Sequence, residues 1–196
     1  MTDTAADLNG RIAERVRELR ATHGLSLDAL ATRSGVSRSM ISLVERGESS
    51  PTAVVLEKLA RGLGVTLPAL FDASAADGGR EPAGPLVRRD AQLEWRDPAS
   101  GYVRRNVSPP DVRQPMRIVE VRFPPGARVA FENGARISQQ VWLLEGAIDV
   151  TVGAEKHRLR EGDCLAMSLD HPTMFHNPTR RWARYAVVSA APSVPR

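Results

Sequence analysis

The chain of 196 residues contains one cysteine, Cys164, and two lysines, Lys58 and Lys156. A single cysteine forms no internal disulfide, so nothing of that kind staples the fold, and the composition suits a reducing cytoplasm. No stretch approaches the ~18–20 apolar residues that cross a bilayer. Met1 to Leu8 is polar and has no basic stretch leading into an apolar run, so it does not read as a secretory signal. These absences argue against a membrane-spanning, secreted or disordered protein. With lysine so scarce, the positive charge is carried by arginine. The net charge is +4, from 27 basic and 23 acidic residues. Residues 1–73 hold nine of each sign, so the whole excess lies in residues 74–196. Net charge is therefore a weak pointer to nucleic acid, and any such reading rests on where particular side chains sit.

The present features divide the chain in two. In residues 8–72 apolar residues recur at helical spacing. Leu8, Ile12, Val16 and Leu19 form one face of a first helix ended by Gly24. Ser26 and Ser37 stand where N-caps of the next two helices belong, with Gly35 and Gly47 as stops. Pro51 and Thr52 open a fourth helix, with Val55, Leu56, Leu59, Ala60 and Leu63 inward. Thr66 to Phe71 reads as a short fifth. Residues 73–86, rich in Ala, Gly and Pro, read as a linker. From 87 to 192 short apolar runs alternate with turn signals: Met116–Phe123, Gln139–Leu144, Ile148–Val152 and Arg184–Val188 are the clearest strands. This rhythm predicts an all-β sandwich or barrel.

The strongest functional signal is the pair of segments Ser26–Arg33 and Ser37–Arg46 around Ser34-Gly35-Val36, which has helix-turn-helix spacing. On the second helix Ile41 and Val44 share one side, while Arg38, Ser39, Ser42, Leu43 and Arg46 share the other. A helix in the DNA major groove needs that division: an apolar side for the core, and hydroxyls and a guanidinium for base edges. Arg38 could donate two hydrogen bonds to a guanine, worth ~1–3 kcal/mol of discrimination. Ser26 and Ser37 can serve as caps, worth ~1 kcal/mol each, and also meet phosphate. Glu45 is expected to be a structural partner near the loop after Gly47 rather than a base reader.

These segments resemble the XRE, or lambda-type repressor, helix-turn-helix family. The matching residues are Ile12–Leu19, the run from Leu25 to Thr52 and the run from Leu56 to Phe71. The resemblance implies a five-helix lambda-repressor-like domain. It puts Arg38, Ser39, Ser42 and Leu43 toward the bases of double-stranded operator DNA, and Ser26, Ser37 and Arg46 near phosphate. The second half resembles the cupin family. Gly126-x5-Glu132-x-Gly134-x4-Gln139-x6-Gly146 is similar to its first motif, and Gly162-x5-Ser168-x-Asp170-x2-Thr173-x3-Asn177 to its second. The resemblance implies a jelly-roll β-barrel, making the whole an α + β protein of two domains.

Metal-binding cupins carry histidines and a glutamate at four positions that here hold Glu132, Gly134, Gln139 and Thr173. Neutral Gln and Thr are poor transition-metal ligands and Gly has no donor. No metal and no cofactor are therefore expected. His171 and His176 read as surface or rim residues, the alternative being a rearranged metal site that they would form with Glu132. A metal-free barrel can still hold a small molecule: Glu132, Gln139 and Thr173 would point polar groups into a space walled by Val141, Met167 and Phe175, with Glu132 available to an amine. Trp142 and Trp182 are expected to serve packing or an interface, and Cys164 to be a buried inert thiol. Together the two resemblances imply a cytoplasmic, homodimeric transcriptional regulator that reads operator DNA and senses a small metabolite. The alternatives are a cupin enzyme of the dioxygenase or isomerase type fused to a DNA-binding domain, and a regulator whose barrel only dimerises.

Overall fold

The computed structural model describes residues 4–71, 84–109, 116–132 and 137–190. Its first part consists of four α-helices: α1 (Thr4–Thr22), α2 (Leu27–Ser34), α3 (Arg38–Glu45) and α4 (Ala53–Leu63). The expected fifth helix is instead a 3₁₀ segment, Leu67–Phe71. Five residues offer too few bonds to repay α-helix nucleation, and Pro68 brings no N–H, so the chain takes the tighter turn.

Each cap forms where the sequence put it. Ser26 accepts from the Ala29 N–H, Ser37 from Met40 and Thr52 from Val55. The face Leu8, Ile12, Val16 and Leu19 is buried, as are Ile41 and Val44 of α3 and Leu56, Leu59, Ala60 and Leu63 of α4. Ser34 fixes the turn between α2 and α3: its hydroxyl donates to the Leu30 carbonyl at 2.7 Å and accepts from the Val36 N–H at 3.2 Å. Helix α4 crosses at this point so closely that a Cβ on Gly62 would lie 2.8 Å from the Ser34 Cβ.

Among the described residues the second part contains ten strands in two antiparallel sheets. One sheet runs β1 (Glu94–Arg96), β2 (Val103–Asn106), β3 (Met116–Phe123), β10 (Ala183–Ala190), β5 (Ser138–Glu145), β8 (Cys164–Ser168). The other runs β4 (Arg128–Phe131), β9 (Thr173–His176), β6 (Ala147–Val152), β7 (Glu155–Arg160). They face each other, with Phe175 of β9 stacked on Tyr185 of β10 at 5.7 Å between ring centres and Phe123 set edge-on to Tyr185. The expected closed barrel is thus a sandwich of two sheets, each keeping two edge strands. Helix α4 packs beside edge strand β4, so a helix covers a side that a further strand ladder would occupy in a closed barrel.

The two parts share one continuous apolar core. Buried Asp97, just after β1, accepts the Ala53 N–H at 2.9 Å with one oxygen and the Ser100 backbone and hydroxyl groups with the other. A carboxylate of the sheet domain thereby caps the first turn of α4, where the helix dipole favours negative charge. The Phe71 and Trp95 rings meet edge-on at 5.8 Å, and the guanidinium of Arg104 lies 5.0 Å from the centre of the Phe71 ring. Of the expected linker, only residues 84–86 fall within the described residues.

Candidate DNA interface and interdomain cavity

Around α3 the structure lays out an exposed face of short polar groups flanked by arginine. Ser26, Ser37, Arg38, Ser39 and Arg46 are exposed, while Ser42 and Leu43 are half-buried. All seven are either helix N-caps or outward positions of α3 and its C-cap, because Ile41 and Val44 turn the opposite side into the core. The Ser37 and Ser39 hydroxyls are 3.2 Å apart. Arg38 pairs with Asp28 of α2 at 3.3 Å, both side chains largely in water. Arg46 forms a two-pronged pair with Glu48 at 2.8 and 2.9 Å and also donates to the Ser42 hydroxyl. The hydrogen bond from Arg46, with its charge, holds the Glu48 carboxyl below the ordinary carboxylate range. Exposed pairs of this kind are worth little in water, so either guanidinium can exchange its carboxylate for another partner at small cost.

Glu45 is a structural partner, and its partner is Arg20 of α1. It is buried and receives two hydrogen bonds from that guanidinium, at 2.6 and 2.8 Å. Arg20 also donates to the Leu25 carbonyl at 2.9 Å. The end of α1, the α1–α2 turn and the end of α3 are thereby joined by one guanidinium. An eight-residue helix is marginal by itself, and this clamp with its buried face holds it in place. The signal for the pair was spacing: Arg20 sits one residue beyond the buried Leu19, on the edge of the apolar face.

The second feature is a cavity of about 410 Å³ between the two domains. Its walls are the inner faces of both sheets, including Val121, Phe123, Val129, Phe131 and Phe175. Its roof is the helical domain, through Glu57 and Arg61 of α4 and Leu67 and Pro68 beyond it. Gln139, Thr173 and Phe175 line it, as three of the six expected pocket residues. Val141 is wholly buried in the sandwich core and Met167 packs against that core, so neither borders the cavity. Glu132 does not enter it. The Glu132 side chain is 60% exposed and bonded to Arg61 at 2.8 Å. That hydrogen bond, with the charges of Arg61 and Lys58, keeps its carboxyl below the usual range. A carboxylate at the end of edge strand β4 finds the cation of the neighbouring helix before it finds a ligand.

The sequence reading missed Arg104. On β2 it alternates with Tyr102, and both line the cavity. Burial pushes the Tyr102 hydroxyl well above its ordinary value, so it stays a neutral donor. Arg105, the next residue, faces the other way and bonds Glu120 at 2.7 Å.

The lining does not fit the metal that the cupin resemblance brings to mind. It includes no His and no Cys among the described residues, and Glu57 is its one acid. Gly134 lies outside the described residues. His176 faces Asp149 at 3.9 Å and His171 faces Asp170 at 3.8 Å, so the two do not converge with Glu132. Cys164 is not the buried thiol expected. It is exposed, because it falls on the outward side of β8 opposite Trp142. Trp142 and Trp182 are half-exposed.

A capped two-helix unit, a polar outward recognition face and a clamped core define a DNA-binding protein of the helix-turn-helix class. Comparison with known proteins gives the family. The helix-turn-helix model HTH_3 matches residues 16–70. The chain is 35% identical over 91 residues to the HTH-type transcriptional regulator DdrOP3 of Deinococcus deserti, covering 46% of this chain and 69% of that protein. It is 26% identical over 169 residues to the HTH-type transcriptional regulator SutR of Escherichia coli, covering 85% and 86%. The crystal structure of an HTH_3 family transcriptional regulator from Vibrio cholerae matches with TM-score 0.74 and 26% identity, over 98% of this chain and 99% of that one. The chain belongs to the XRE-type helix-turn-helix family of transcriptional regulators. Among the described residues no helix is long and apolar enough to cross a membrane.

Proposed function

We propose that the chain is a cytoplasmic, homodimeric regulator that reads a specific operator through α3 and senses a small metabolite through its cupin-like domain. The observation that carries the DNA part is the outward face of α3, where Arg38 and Ser39 stand free of the core and Ser42 and Leu43 flank them. Arg38, Ser39, Ser42 and Leu43 meet base edges, and Ser26, Ser37 and Arg46 meet phosphate. One eight-residue helix reads only a few base pairs, so two heads related by a twofold axis give the length of site a genome requires. The sandwich offers a surface for pairing: Ile118 and Trp142 are exposed on the outer side of the six-stranded sheet, between neighbours that include Ala186 and Val188. The cavity supports the sensing part, since about 410 Å³ lies within the range that holds small ligands. Among the described residues the lining carries no donor set for a metal, which favours a sensor over a metal-dependent catalyst.

Arg38→Ala tests the DNA part. Its circular dichroism and melting temperature should match the wild type, because the side chain is exposed. Its affinity for operator DNA in fluorescence anisotropy should fall by about tenfold or more, as expected from ~1–3 kcal/mol for a lost bidentate base contact. Unchanged affinity removes Arg38 from the reading set.

A further inference from the structure

Resting on the reading of the cavity as a sensor, we propose that it takes a small amphipathic monocarboxylate, gripped by Arg104 and roofed by the DNA-binding domain itself. The first ground is the composition of the walls. Aromatic and branched aliphatic side chains dominate them, so the occupant has an apolar body. The second is Arg104. Its guanidinium is buried, permanently charged and lies over the Phe71 ring at 5.0 Å. The planar N–H fork of a guanidinium matches the two oxygens of a carboxylate. Gln139, Thr173 and Ser189 line the same space and can bond the head group.

The third ground is Glu57, the one acid in the lining. It disfavours a second negative charge, so a monocarboxylate is preferred to a dicarboxylate of similar size. The fourth is the roof. Glu57, Arg61 and the Leu67–Pro68 turn belong to the helical domain, which is pinned to the sandwich by the Asp97 cap on Ala53 and the Arg61–Glu132 pair. A ligand in the cavity touches both domains at once. Its binding energy therefore bears on how α4, and through α2 the recognition helix α3, sit relative to the sandwich, as coupling between ligand and DNA requires.

The test uses the full chain and a series of straight-chain and phenyl-substituted monocarboxylates of four to ten carbons. Each is compared in calorimetric titration with the alcohol and the dicarboxylate of the same skeleton. At least one monocarboxylate should bind at least tenfold tighter than its alcohol and its dicarboxylate, and should slow amide exchange across Ala53–Leu63. Arg104→Met should lose that preference. Should this variant fail to fold, the acid-against-alcohol comparison on the wild type still decides the matter. Equal binding of acid and alcohol overturns the role of Arg104 and leaves a sensor of another chemistry. Binding without slower exchange in α4 overturns the roof. If neither the acids, the alcohols nor the dicarboxylates bind, both this proposal and the sensor reading beneath it fall.

Discussion

Two arginine-rich regions of the molecule use the same side chain in opposite ways. On the exposed face of α3, which we propose meets DNA, Arg38 and Arg46 pair with Asp28 and Glu48 in open water, where such pairs are weak and exchangeable. Inside the fold, Arg20 holds Glu45 with two hydrogen bonds and Arg104 lies buried against Phe71. The difference lies in the cost of letting go. A guanidinium proposed to exchange its partner for DNA sits where its present partner holds it loosely. One that fixes a short helix or a cavity wall sits where separation would strand a charge out of water. Position relative to solvent, more than residue type, separates the proposed DNA-reading arginines from the buried ones.

The largest effect that sharpens this contrast is expected at the brace. Glu45→Ala removes the acceptor of a largely buried pair and leaves Arg20 with its stem enclosed. Denaturant unfolding should show a loss of about 2–4 kcal/mol, below the full cost of a wholly buried pair because Arg20 keeps some contact with water. DNA binding should fall with the fold. A loss below ~0.5 kcal/mol, typical of exposed pairs, would erase the distinction.

Next comes the close packing behind the recognition unit. Gly62→Ala sets a methyl group 2.8 Å from the Ser34 Cβ, so α4 must shift away from the turn between α2 and α3. The expected cost is about 1–3 kcal/mol. Gly10→Ala, on α1 with open space around the added methyl, should cost nothing and serves as its control.

The smallest effect is electrostatic and lies in the sandwich. Burial pushes the Asp149 carboxyl up, but hydrogen bonds and charge from Lys156 and Arg158 outweigh it and hold the group below its ordinary value. A carboxyl with a lowered folded pKa contributes stability that is complete above its unfolded value of about 4 and is lost as pH falls through the folded one. The stability gap between wild type and Asp149→Asn should thus be open at pH 6 and narrow at pH 3. A gap independent of pH would show that the ion pairs contribute nothing.

Most of the helical half was legible, and the reason is periodicity. Leu8, Ile12, Val16 and Leu19 repeat at 3.6-residue spacing, and Ser26, Ser37 and Thr52 mark helix starts by chemistry that acts within three residues. The β half was legible only where strands are long and apolar, as at Met116–Phe123. Strand β7 reads Glu-Lys-His-Arg-Leu-Arg and β2 reads Val-Arg-Arg-Asn, and neither shows alternation of apolar and polar residues. Their places come from pairing with β6 and with β1 and β3. The cavity was the least legible part. It is assembled from both domains, and a resemblance confined to the sandwich assigned Glu132 to a ligand when Arg61, 71 positions away in sequence, had already engaged it.

Titrating the wild-type protein against promoter fragments and a shuffled duplex, by anisotropy across a range of salt concentrations, tests the central claim most directly. The account predicts one fragment bound at least a hundredfold tighter than the shuffled duplex, with a preference that persists as salt weakens both. Equal affinity for every duplex at each salt concentration would contradict it.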